Sequence, residues 1–314
     1  MHRRYDHTPD PTHVRLFTDV NQAMLATLRV ATDRGDGVLL HTPACPPFVD
    51  VIGRIGRRPL TVSVQEVQSG WEFDPALMER AAADVGPGRC SALFLVNPHN
   101  PTGRVFRREE LEELAEFALR RDLLVISDEV HADLVHAPHR HIPFASLSSE
   151  VAARTVTLTS GSKAFNLAGI RCAVAHIGPP AVREAVDAQH GLLFGQVGVL
   201  AVEALKAAWT SGDDWLDDVL SVLEQNRRQL VEQLPAGIRC HSPEATFLAW
   251  LDCRSLGIGA DPMPFFRDEA KVLLFSGPAF GAAGEGFVRL NFGTSPQVLE
   301  ETLSRMTAAL RRLG

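Results

Sequence analysis

Short apolar runs alternate with amphipathic stretches along the first 160 residues of this 314-residue chain. Short apolar or β-branched runs at 37–41, 59–64, 90–96, 123–126 and 155–159, most of them without strict polar alternation, predict strands covered on both faces. Between them, 3.6-residue periodicity predicts helices over 21–31, 74–83 and 108–121. Asp19 is a candidate N-cap for the first, and Pro75 suits the first position of the second. The third is glutamate-rich early and arginine-rich late, which suits the helix dipole. The Pro-rich stretch 42–47 reads as a turn. Strands separated by helices predict an α/β fold: a mostly parallel sheet sandwiched by helices. Beyond about residue 185 the pattern changes. Long helices are expected over 201–209 and 215–234, strands over 247–251 and 286–291, and a terminal amphipathic helix over 297–313. The expected division is a large domain, 1–205, and a smaller α+β domain, 206–314.

Composition narrows the function classes. A hydrophobic content of 45% with 22% charged residues supports a sizeable core. A net charge of −7 gives no reason to expect nucleic acid or a membrane surface as partner. No uninterrupted apolar stretch reaches the roughly 18 residues of a membrane span. The basic N-terminus lacks the apolar segment of a secretory signal. Five cysteines, with no C-x-x-C spacing, argue for a reduced, cytoplasmic protein.

Chemistry concentrates at strand ends. Lys163, Lys206 and Lys271 are the chain's only lysines. Lys163 alone is flanked by serines and glycines on a strand exit, in Ser160-Gly-Ser-Lys163. A lysine that loses its proton there can form a Schiff base with an aldehyde; the plainer reading is a solvated loop lysine. Asn100 and Asp128 also fall just past predicted strand ends, where open α/β sheets bind ligands. Alone, each reads equally as a turn residue. The histidines at 136, 139 and 141 lack metal-site spacing and read as loop residues, so no metal is expected.

The segments Asn97-Pro-His-Asn-Pro-Thr-Gly-Arg104, Ser127-Asp-Glu-Val-His131, Ser160-Gly-Ser-Lys163 with Arg171, and Arg289-Leu-Asn291 resemble the fold-type I pyridoxal 5'-phosphate enzymes, the aspartate aminotransferase superfamily. Together with Thr42-Pro-Ala-Cys-Pro-Pro-Phe48 and Thr246-Phe-Leu-Ala-Trp-Leu-Asp252 they are similar to the MalY/PatB-type cystathionine β-lyase branch. The resemblance implies that Lys163 holds the cofactor and serves as the catalytic acid/base. It implies that Asp128 pairs with the ring nitrogen and that Asn100 bonds the ring oxygen. Arg171, Ser160, Ser162 and the backbone near Val20 and Asn21 would bind phosphate, and Arg289 the carboxylate of a small amino-acid substrate. His131 stands where many aminotransferases carry tyrosine, with a satisfied core histidine as the alternative. For Arg289 the alternative is a surface arginine on an edge strand.

The implied activity is β-elimination from cystathionine or another S-substituted cysteine by a homodimer. Transamination, or a degenerate non-catalytic paralogue, is the alternative. Three features depart from the pattern. The segment before Phe17 is short and polar where the family carries a longer arm. Cys45 replaces the aromatic that stacks on the ring, and Asp19 replaces a glycine beside the phosphate.

Overall fold

The computed structural model describes residues 2–85, 89–191 and 193–313. The strands before residue 180 are β1 (Val14–Phe17), β2 (Gly37–Thr42), β3 (Arg58–Ser63), β4 (Gln65–Val67), β5 (Gly70–Glu72), β6 (Cys90–Val96), β7 (Leu124–Asp128), β8 (Thr155–Thr159) and β9 (Ala173–Ile177). Seven of them form one sheet in the order β1-β9-β8-β7-β6-β2-β3. The five from β3 to β8 run parallel, β9 runs against them, and the edge strand β1 runs antiparallel to β9. The mostly parallel α/β sheet is therefore the observed fold. Strands β4 and β5 form a separate antiparallel pair.

Side-chain alternation sends the apolar runs to two cores. Leu39, Leu93, Leu95 and Val125 pack on one face with Trp71, Phe106 and Phe117. Their neighbours Leu40, Phe94, Val96 and Ile126 pack on the other with Met24, Leu28, Phe48 and Ile52. Both faces being covered explains why these strands lack polar alternation.

The expected helices form at Val20–Ala31, Pro75–Ala83 and Arg108–Arg120. Asp19 and Asp74 cap the first two, accepting from Gln22 N and Ala76 N. The Pro-rich stretch is partly helical rather than wholly a turn. Pro46 and Pro47 open the helix Pro46–Arg54, because proline suits a first turn whose amides have no partner within the helix.

After residue 180 come helices Pro180–Asp187, Val199–Ser211 and Asp213–Glu232, then β10 (Leu248–Asp252), β11 (Phe275–Ser276), β12 (Phe287–Asn291) and helix Pro296–Leu310. The three strands form an antiparallel sheet with β12 in the middle. Leu216, Leu223, Leu251, Leu290 and Leu303 share a third core. Trp250, Phe280 and Phe287 instead join the core of the large sheet.

Candidate active site

The parallel strands end at one rim, and three loops leave it. Asp128 is the last residue of β7. Asn100 and Lys163 each lie four residues beyond a strand, after β6 and β8 respectively. All three side chains line one cavity of about 220 Å³. Cys45, His131, Ser160, Ser162 and Arg171 line it too, as do Asp19, Val20 and Asn21 at the start of the first long helix. Residues more than 150 positions apart are thus brought together by strand order alone.

Asp128 is buried, and its Oδ1 accepts from Val130 N at 3.1 Å. Burial raises its pKa to about 7, against the opposing pull of the Val130 amide and of Lys163. Such a carboxyl group suits a cationic ring nitrogen, which would restore its charge. Lys163 itself is exposed in the single chain. The desolvation expected for the lysine falls on the aspartate instead.

His131 is buried and its Nδ1 has no partner. It is therefore not a satisfied core histidine. Burial first, then the charges of Lys163 and Arg289, push its pKa down to about 3, so the ring is neutral at ordinary pH. Arg289 lies on the central strand β12, only 9% exposed, which removes the edge-strand reading. Its Nη1 donates to Asn100 Oδ1 at 2.9 Å, while Nε is buried without a partner. The guanidinium also sits 4.2 Å and 4.8 Å from the ring centroids of Phe275 and Phe280. Burial lowers its pKa, and the Cys45 thiol opposes that shift. Cys45 has its own pKa raised by burial.

At the other end of the cavity, Ser160 Oγ donates to Cys172 O at 2.6 Å and accepts from Ser162 N at 3.1 Å. Arg171 adopts a left-handed backbone at φ 63° and turns its guanidinium onto the Asp19 carboxylate, 2.5 Å away.

Sequence reasoning did not single out Thr18, Phe48, Val96 and Val130, which also line the cavity. Phe48 is buried one turn beyond Cys45, edge-on to Phe94. A second cavity of about 340 Å³ lies near Tyr5, Glu129, Asp133 and His176, and no lysine lines it. Behind the site, buried Glu129 accepts from Ser127 Oγ and Phe144 N and pairs with His141 Nε2 at 3.0 Å. His136 Nε2 lies 2.8 Å from Thr246 O. These loop histidines are thus buried and paired, and no group of metal-ligating side chains occurs among the described residues.

A family model described as "Aminotransferase class I and II" matches residues 1–306. The chain is 33% identical to cystathionine beta-lyase PatB of Bacillus subtilis (strain 168), over 99% of this chain and 81% of that protein. It superposes on the crystal structure of OvoB with a TM-score of 0.92 and 39% identity, covering 99% of this chain and 80% of the other. Cystalysin from Treponema denticola, whose crystal structure contains pyridoxal 5'-phosphate, matches with a TM-score of 0.95 and 29% identity, covering 100% and 80%.

Proposed function

This chain belongs to the aminotransferase class I and II family, and from that premise we propose that it is a carbon–sulfur β-lyase dependent on pyridoxal 5'-phosphate. It converts an S-substituted cysteine and water into a thiol, pyruvate and ammonia, with cystathionine as the expected substrate. The meeting of Asn100, Asp128 and Lys163 in one cavity carries the reading. The relatives named cystathionine beta-lyase support it at the level of the whole chain.

The residues present suit the cofactor. A primary amine, a buried carboxyl group that forms no salt bridge among the described residues and a buried unpartnered histidine nitrogen face one space. When bound, the cofactor supplies an aldehyde for amines and a ring that accepts electrons. Lys163 would hold it covalently, Asp128 would face its ring nitrogen, and Asn100 and His131 would flank the ring. Arg171, Ser160, Ser162 and the amides of Val20 and Asn21 would face the phosphate, and Cys45 would border the site.

Each side chain then has a task. Arg289 holds the substrate carboxylate as a charge-assisted pair, with Phe275 and Phe280 limiting water around it. The Lys163 amine takes the α-proton and can return a proton to the departing thiolate. Asp128, once charged against a bound cationic ring nitrogen, would hold the proton on that nitrogen. Neutral His131 offers a hydrogen bond without adding charge.

Purified protein given cystathionine should release pyruvate and a free thiol in equal amounts. Exchange of amino groups between amino and keto acids, with no pyruvate, would instead establish transamination. The division at 205–206, a cytoplasmic location and a homodimer complete the proposal. Val199 and Leu200 are exposed on a helix whose Ala201 packs against Cys172, next to Arg171. That apolar surface supports a second copy docking beside the site, and a solution mass near twice 34.3 kDa is expected.

A further inference from the structure

Asp19 stands at the end of the cavity that is richest in hydrogen-bond donors. Its Oδ1 accepts from Gln22 N at 2.9 Å, capping the helix Val20–Ala31. Its Oδ2 receives Arg171 Nη2 at 2.5 Å and lies 3.5 Å from Thr18 Oγ1. A helix start beside a guanidinium and two serines is an anion site in both field and geometry. Here the chain's own carboxylate occupies it. The Ser160 hydroxyl is turned to Cys172 O.

We propose that Asp19 is an internal anion that sets the affinity for the cofactor's phosphate group. Loading then requires the Asp19 carboxylate to give up Arg171. This rests on the cofactor assignment above and concerns only one end of the cavity. Among the described residues the hydrogen-bond partners of the Asp19 side chain are Thr18, Gln22 and Arg171, and Lys163, Asp128 and Asn100 are not among them. The cost therefore applies to a phosphorylated aldehyde and spares an unphosphorylated one. Two anions within a few ångströms repel unless one moves, and only the carboxylate is tethered. Asp19 can swing away from Arg171 only by rearranging the side chain that caps its helix, so phosphate binding and helix capping compete for one residue.

The test uses full-length protein stripped of cofactor and titrated separately with pyridoxal 5'-phosphate and with pyridoxal. The readout is the absorbance of the lysine-bound chromophore. Asp19→Asn keeps an acceptor for Gln22 N and removes the charge; Asp19→Ser keeps a capping hydroxyl and removes more bulk. Both variants should bind pyridoxal 5'-phosphate about tenfold tighter or more. Their pyridoxal affinity should stay within about twofold of the unsubstituted chain, and inorganic phosphate should compete better against the phosphorylated aldehyde. Equal affinities for pyridoxal 5'-phosphate in all three proteins would overturn the proposal. So would an equal gain for both aldehydes, which would mark a general loosening of the cavity. If no protein develops the chromophore with either aldehyde, the cofactor assignment falls, and the role of Asp19 with it.

Discussion

Asp128 is buried at the end of β7 and has its pKa raised to about 7. In the stripped protein this has a definite sign. Between pH 4 and pH 7 the unfolded chain releases a proton that the folded chain retains, so stability falls as pH rises through that window. The full penalty is roughly 4 kcal/mol at pH 8 and vanishes below pH 4. Asp128→Asn should therefore narrow the loss of melting temperature between pH 5 and pH 8, and should also cut lyase turnover by about 10²-fold or more. Lys163→Ala should abolish both turnover and borohydride-stable attachment of the cofactor. Trapped cofactor on the alanine protein would reject Lys163 as the attachment point. Lys163, Asp128 and Asn100 were legible because polar residues at the ends of apolar runs are conspicuous. Phe48, Val96 and Val130 were not, because an apolar side chain lining a cavity carries the same pattern as one filling a core. The engagement of Arg171 by Asp19 was equally hidden, since 152 positions separate them.

Among the elements, those with both faces covered were the readable ones. The parallel strands and their capped helices stood within a few residues of expectation, because continuous burial and side-chain caps leave a local mark. Strands β1 and β9 were missed. β1 is a half-exposed edge strand of only four residues, and β9 contains alanine and histidine, which have little strand preference. The loop after β6 shows what holds Asn100 in place. Gly103 adopts φ +72°, donates to His99 O, and accepts from Glu244 N and Ala245 N. A Cβ there would stand 2.8 Å from Pro243 Cβ and 3.0 Å from Ala245 O. Gly103→Ala should lower unfolding stability by more than about 1 kcal/mol and raise KM through displacement of Asn100. Denaturant melts and steady-state kinetics on one preparation check both effects.

Across the whole molecule, the two larger sheets are mechanically joined. Trp250 on β10 stacks on Phe287 at 5.3 Å and meets Phe280 edge-on at 5.2 Å, within the core beneath the large sheet. Trp250→Ala should cost about 3–5 kcal/mol and should weaken both parts of the chain together, seen as coincident shifts of circular dichroism and of fluorescence from the three other tryptophans. The hydrogen bond between Arg289 and Asn100 is a second link between the sheets, and its Asn100 end lines the cavity. A ligand carboxylate that takes the Nη1 group of Arg289 has to share or replace the Asn100 oxygen, and the freed amide would then turn toward the ring. The pocket is thereby wired as a gauge. Simple carboxylic acids without an amino group, unable to react at all, should still alter the colour of the loaded protein, and Asn100→Ala should silence that signal while leaving the acids bound.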